Sequence, residues 1–267
     1  MRNLAELIVL VRGGGEVGSA IAHRLFRSHF RVCITEIASP LAVSRGTCFS
    51  EAIYDITKTI EDVTAERTLP SLENIYRVWR NQRIPIVVDP ELSVRALLKP
   101  DVMVHAMMLK RKTSATITDA PLVIGIGSGF IAGEDVHLVV ESALSNDLGK
   151  LIFEGSSFEG DSETTNYCQG QVIYSSDAGV FTTSRNIGEK VNAEEIIGKL
   201  GDLPVKAPIA GVLRGILRNE VKVLANTRLA EIDPAIKPED CFSIRGTMRA
   251  ISGGVLEAIM LSYNFMD

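Results

Sequence analysis

Apolar and polar positions follow two different periods along this chain, and the switch between them is sharpest near the N-terminus. Residues 7–11 are an unbroken apolar run; short Val/Ile/Leu runs suit a strand covered on both faces, as in a parallel sheet. The run stops at Gly13, Gly14 and Gly15, after which Val17, Ala20, Ile21 and Leu25 recur at helical spacing and predict an amphipathic helix. Residues 31–35 predict a second strand, and 84–88, 102–107 and 122–126 three more. Between them Ser71 stands as the cap of a helix whose apolar face is Leu72, Ile75, Tyr76 and Trp79. Asp89 and Pro90 read as N-cap and first position of another helix, ending by Pro100. Strands alternating with helices predict a parallel α/β sheet, with Met103, Met107 and Met108 as flexible filling. Residues 246–265 place Met248, Ile251, Val255, Ala258 and Ile259 on one face of a closing helix that packs back on the sheet.

The texture changes near Glu154, where Gly, Ser, Thr and acidic residues mark a linker. Beyond it the sequence repeats with a period of 32 residues: Ala178, Gly179 and Val180 match Ala210, Gly211 and Val212, and Val191, Ala193, Ile197 and Leu200 match Val223, Ala225, Leu229 and Ile232. Two copies of short strands joined by turns make a pseudo-symmetric β-unit. This pattern resembles the flattened barrel of biotinyl and lipoyl domains. Their carrier lysine, commonly in a Met-Lys-Met context, has no counterpart in residues 200–206, and Lys199 and Lys206 fall at strand edges. A swinging-arm role is therefore rejected. The expected organisation is a Rossmann-like dinucleotide-binding domain over 1–150, a linker over 151–175, a biotinyl/lipoyl-like barrel without a carrier lysine over 176–235, and a C-terminal segment with the final helix over 236–267.

Chemistry concentrates at the glycines. Gly13, Gly15 and Gly18 complete a GxGxxG pattern between strand and helix, and Glu36 ends the second strand. In such a unit the first glycine makes the turn, the second lets backbone approach a pyrophosphate, and the third lets helix and strand pack closely. The residues expected to bind a cofactor are Gly13, Gly14, Gly15, Glu16, Val17, Gly18 and Glu36, joined by Arg45 and Ser50 from the long segment 37–55. A carboxylate at Glu36 accepts from a ribose diol and repels a 2'-phosphate, favouring an NAD-like ribose over NADP.

Composition narrows the remaining classes. The net charge of −5 argues against sequence-independent nucleic-acid binding. Apolar stretches break well before the ~18 residues of a membrane span, and residues 1–15 read as a first strand and not as a signal peptide, so a cytoplasmic location is expected. Cys33, Cys48, Cys168 and Cys241 contain no CxxC pair, and His23, His29, His105 and His137 are not grouped at metal-ligand spacing, so no metal site is expected. No nucleophile elbow, P-loop or HExxH motif occurs, and no catalytic residue is assigned. Lys110, Arg111 and Lys112 form a cationic cluster after the fourth strand.

Residues 11–25, 30–55, 119–142, 207–217 and 229–234, with the closing ISGGVLEAI, resemble the accessory proteins of the selenium-dependent molybdenum hydroxylase system, related in role to xanthine dehydrogenase accessory factors. The resemblance implies a helper that binds a nucleotide-bearing molybdenum cofactor, such as molybdopterin cytosine dinucleotide, or supports sulfur or selenium insertion. Its implied partner is a molybdenum hydroxylase apoenzyme, with homo-oligomerisation left open. Two alternatives stand beside it: an NAD-dependent oxidoreductase, with Lys110 and Glu51 as the nearest proton donors, and a non-catalytic scaffold for a molybdenum enzyme.

Overall fold

The computed structural model describes residues 4–108, 115–158 and 170–264. In it the first apolar run is β1 (Ile8–Arg12), with Val9, Leu10 and Val11 fully buried. The helix after the glycines is α1 (Glu16–Arg27), and β2 (Arg31–Glu36) lies parallel to β1. After Glu36, single 3-10 turns at Arg45–Thr47 and Phe49–Glu51 lead into the one-turn helix α2 (Ala52–Asp55). A hairpin follows, β3 (Thr57–Ile60) and β4 (Val63–Thr68), then α3 (Leu72–Arg80), β5 (Ile84–Val88), α4 (Ser93–Leu98), β6 (Val102–His105) and β7 (Leu122–Ile126). Short strands β8 (Ile131–Ala132), β9 (Leu138–Val140), β10 (Leu151–Ile152) and β11 (Gly155–Ser156) precede the second unit, and the long α5 (Gly246–Asn264) returns to the first.

Two helices differ in detail from the sequence reading. In α3 the buried stripe is Ile75, Val78 and Trp79, whereas Leu72 and Tyr76 are exposed. The indole sets this rotation, because Trp79 Nε1 donates to the Val32 carbonyl at 2.7 Å. Asp89 and Pro90 form a turn, and α4 starts only at Ser93. Asp89 still caps it: its carboxylate accepts from the amides of Ser93 (3.0 Å) and Val94 (2.7 Å).

The first unit is built on a nine-stranded sheet in the order β10-β9-β7-β6-β1-β2-β5-β4-β3. Every pairing is parallel except at the two edges, where β3 and β10 run antiparallel to their neighbours. From β1 the chain first adds strands on one side and then, with β6, on the other. The order thus reverses between β1 and β6, the position at which open α/β sheets leave a crevice at the strands' C-terminal ends. Right-handed crossovers put α1 on one face and α3 and α4 on the other. Under the latter, Leu10, Cys33, Met103 and Val123 pack with Ile75, Trp79, Val94, Leu98 and Phe130. The helix α5 packs on α1, where Arg24 donates to Ser252 Oγ at 2.9 Å.

The second unit comprises residues 41–47 and the described residues of 166–243. Its strands are β12 (Gln171–Tyr174), β13 (Gly179–Thr182), β14 (Lys190–Val191), β15 (Ile196–Leu200), β16 (Leu203–Lys206), β17 (Gly211–Ile216), β18 (Val221–Val223) and β19 (Arg228–Asp233). They form two four-stranded sheets, β12-β19-β17-β14 and β16-β15-β13-β18, and among the described residues no ladder joins them into one closed barrel. The 32-residue repeat is written into the pairing. Gly179 faces Val223 while Gly211 faces Val191, and Phe181 faces Leu200 while Leu213 faces Ile232. Each pair is the other shifted by one period, with one partner taken from the opposite copy where β13 meets β18 and β17 meets β14. Phe181, Leu200, Leu213 and Ile232 lie together in this unit's core with Val43.

The coarse expectation, an α/β chain with a large N-terminal sheet and a final helix, is what the chain forms. The stretch treated as a linker is divided: residues 151–158 supply β10 and β11, and 171–174 supply β12. Lys110, Arg111 and Lys112, and Cys168, lie outside the described residues.

Candidate functional site

Each glycine at the end of β1 has a different physical task. Gly13 sits at φ +100°, a left-handed conformation that only glycine adopts without strain, and its amide donates to the Thr35 carbonyl at 2.9 Å. Gly18, inside α1, lies so close to the turn that a Cβ there would come 1.9 Å from the Gly13 carbonyl oxygen. Gly14 is clamped on all sides. Its amide donates to Glu36 Oε1 (2.8 Å), and its carbonyl accepts from the Ser50 amide (2.9 Å) and Ser19 Oγ (2.8 Å).

Gly15 is the exception. It is the N-cap of α1 at φ −67° and ψ −172°, which any residue adopts, and a Cβ built there meets nothing within 4 Å. No side chain caps the helix, so the first amides of α1 have no acceptor from a capping residue. The macrodipole and these N–H groups together favour an anion at that point.

Glu36 and Glu16 put negative charge nearby, and each is held. Glu36 is half-buried; its two carboxylate oxygens accept from the amides of Gly14 and Ile37 (2.7 Å). Burial pushes its carboxyl above the usual range, with those two amides acting in the opposite direction. Each oxygen keeps a second lone pair for a hydroxyl donor. Glu16 pairs at 2.8 Å with Arg245, the residue before α5, which balances the acid beside the helix terminus.

The remaining residues expected at the site divide. Val17 is buried under α1. Ser50 does reach the turn, but through its amide: its hydroxyl is fully buried and has no hydrogen-bond partner. Arg45 belongs to the second unit, where its Nε donates to the Ile216 carbonyl at 2.7 Å. Glu51 is buried, and burial holds the Cys48 thiol well above the usual range, against a reactive thiolate.

The structure also groups residues that are distant in sequence. His23 Nε2 lies 3.2 Å from Asp62 Oδ1 and 3.7 Å from Glu61 Oε2. Three potential ligands converge here, but Asp62 is paired with Arg27 at 2.5 Å and Glu61 with Arg249. The cluster reads as an ion-pair network joining α1, the β3–β4 turn and α5.

No protein-family model matches the chain. It is 32% identical over 257 residues to the uncharacterized protein YqeB of Escherichia coli K12; the match covers 95% of the chain but 47% of that protein, so the chain spans about half the length of this relative. Matching solved structures include the ectoine utilization protein EutE (DoeB) of Ruegeria pomeroyi (11% identity, 87% of each chain covered, TM-score 0.26). They also include an aspartoacylase family protein of Mesorhizobium loti (10%, 86% of each, 0.26) and a succinylglutamate desuccinylase of Silicibacter (13%, 86% and 85%, 0.25). Such low TM-scores carry no chemistry to this chain.

These findings correct the functional reading of the sequence. The matches are an uncharacterized protein and structures described as of the aspartoacylase and succinylglutamate desuccinylase type, and none is described as a molybdenum hydroxylase accessory protein. The accessory role, the molybdenum and selenium connection and both alternatives, the NAD-dependent oxidoreductase and the molybdenum-enzyme scaffold, are withdrawn. They rested on short matching segments, many of which the fold itself explains: the glycine turn and the apolar strands serve β1–α1–β2 whatever the ligand. No helix among the described residues is long and apolar enough to cross a membrane.

Proposed function

We propose that the first unit is a Rossmann-type nucleotide-binding unit whose ligand is a ribonucleotide carrying a phosphate or pyrophosphate. The phosphate sits on the amides of Gly15, Glu16 and Val17 at the start of α1, and the ribose hydroxyls donate to Glu36. The strand order, reversing between β1 and β6 beside the glycine turn, supports this placement. One observation carries it: Gly13 and Gly18 are required by backbone conformation and packing, whereas Gly15 is required by neither. A glycine with open space in front of it, at an uncapped helix terminus, is what close approach of a ligand demands.

The second unit we read as a biotinyl/lipoyl-like fold that keeps the two-fold repeat without a carrier. Lys206 is paired with Glu194 at 3.1 Å, and the β15–β16 turn is Gly201 and Asp202.

Calorimetric titration of the purified chain with AMP, ADP, ADP-ribose and 2'-phosphorylated ADP-ribose tests the nucleotide reading. ADP-ribose binds to the wild-type chain and at least tenfold more weakly to Gly15→Val, whose melting temperature stays close to wild type; the 2'-phosphorylated compound is the weaker ligand because it meets Glu36. Absence of binding by all four, or equal binding by Gly15→Val, overturns the assignment.

A further inference from the structure

We propose that the crevice between β1 and β6 contains a second anion site, formed by Arg12, His105 and Thr35 on the α3/α4 face of the sheet, that takes a carboxylate or phosphate group. The site stands on its own geometry; it rests on the nucleotide reading only for which molecule carries that group.

The register puts the three side chains in one row. Arg12 is the parallel partner of Thr35 on β2 and of His105 on β6, so the three project from one face at about 4.8 Å per strand. Two residues earlier the same face carries Leu10, Cys33 and Met103, all fully buried core. At its last rung the sheet therefore replaces an apolar layer by a polar one.

The donors and acceptors of that layer are mostly unpartnered. His105 is fully buried, and neither ring nitrogen has a hydrogen-bond partner; Thr35 is buried to the same degree, with Oγ1 unpartnered. Buried polar groups in folded proteins are almost always satisfied. Arg12 is half-buried and still reaches solvent, with one bond to the Pro90 carbonyl at 3.2 Å; a guanidinium has five donors to fill.

The surroundings choose the sign of the occupant. Burial, and after it the Arg12 guanidinium, push the His105 imidazole down to about 4, so at neutral pH the ring is uncharged and offers one N–H. Asp119 Oδ2 stands 3.7 Å from Nε2, but that carboxylate is also held by Arg95 and by the amide and hydroxyl of Thr116. Asp89, the other nearby acid, faces the α4 amides. An arginine fork, an imidazole N–H and a hydroxyl in one row match a negatively charged, acceptor-only group.

The test follows the His105 ring by nitrogen-15 NMR in the full chain while inorganic phosphate is added, with His105→Gln assigning the signal. The expected result is a saturable shift at neutral pH and a His105 pKa raised by at least one unit when phosphate is bound. Arg12→Gln weakens phosphate at least tenfold, and Arg12→Lys, which keeps the charge but not the fork, weakens it less. Competition by ADP identifies the occupant as the nucleotide's own terminal phosphate, and unchanged phosphate binding beside ADP identifies a separate anion. A His105 signal that ignores phosphate, or shifts equally in Arg12→Gln, means that only water fills the row and overturns the proposal. Phosphate shifting His105 while none of the nucleotides binds refutes the nucleotide reading alone; nucleotide binding with His105 silent to every anion refutes this one alone.

Discussion

Two single-methyl additions, Gly15→Ala and Gly18→Ala, separate what the glycine turn needs for folding from what it offers a ligand. At Gly15 the new methyl meets nothing within 4 Å and the backbone is already extended. Restricting the unfolded chain stabilises by about 0.4–1 kcal/mol where the native conformation suits alanine, while alanine is a poorer N-cap than glycine by roughly 0.5–1 kcal/mol. The two effects oppose each other, and the net change is within ~0.5 kcal/mol, a shift in melting temperature of no more than about 2 °C for a chain of this size.

At Gly18 the same methyl would stand 1.9 Å from the Gly13 carbonyl oxygen and 3.0 Å from its carbon. Both are backbone atoms, fixed by the Gly13–Thr35 hydrogen bond, so α1 must move away from β1. Overpacking of this kind costs about 1–3 kcal/mol and more against backbone; about 3 kcal/mol lowers the melting temperature by roughly 6–12 °C. Differential scanning calorimetry of the three proteins without ligand gives the comparison. A Gly18→Ala protein that melts with the wild type, or a Gly15→Ala protein that melts as low as Gly18→Ala, would refute the division of tasks among the glycines.

The repeat yields an asymmetric prediction: Gly211→Ala, whose Cβ meets the Asp233 carbonyl and Ile232 Cγ2 at 2.9 Å, destabilises by about 1–3 kcal/mol, while its mate Gly179→Ala meets side-chain atoms only, Leu200 Cδ1 at 3.1 Å and Cγ at 3.4 Å, and costs under about 1 kcal/mol. Urea titrations rank the two, and equal midpoints would contradict the packing. Trp79→Phe removes the bond to Val32 and costs about 1–3 kcal/mol; an unchanged urea midpoint would show that the indole does not anchor α3. Since Trp79 is the single tryptophan, the wild-type fluorescence transition follows the first unit.

The readable parts of the fold were those in which local pattern and tertiary environment agree. Strand β1, α1 and β2 are a buried run, a glycine turn and an amphipathic helix, each specified within about a dozen residues. The repeat was visible because a two-fold unit must bury equivalent positions twice, as Phe181 with Leu200 and Leu213 with Ile232 do. The β3–β4 hairpin was missed because β3 is an edge strand with only Ile60 buried and offers no apolar run. Its signal was confined to the start of β4, where Val63 and Ala65 alternate with Thr64 and Glu66 after the Glu61-Asp62 turn. Arg45 was placed at the glycine turn because it is near Ser50 in sequence, yet the chain changes unit between residues 47 and 48. The row of Arg12, Thr35 and His105 could not be read at all, since only strand register brings three strand ends together.

Acidity offers a last test of the C-terminal end of the central strands, because buried His105 and half-buried Glu36 act with opposite sign. The folded state holds His105 near 4, below the ordinary 6.5. Between those values the unfolded chain binds the extra proton, so this group makes stability rise with pH, by up to about 3 kcal/mol across the window. Glu36 is the reverse: burial raises its pKa above 4.5, the folded state binds the extra proton just above that value, and stability falls there as pH rises. Where the two windows overlap, the slopes oppose each other. Other groups titrate in the same range, His23 and His137 among them, so the informative quantity is each variant's curve minus that of the wild type. His105→Gln removes the rising contribution and leaves a variant relatively more stable at pH 5 than at pH 7. Glu36→Gln removes the falling one and moves the difference the other way, with an added pH-independent loss because the amide cannot accept from both Gly14 and Ile37. Urea denaturation from pH 4 to 8 measures both curves. Difference curves of the same sign would show that at least one of the two groups is not buried as described.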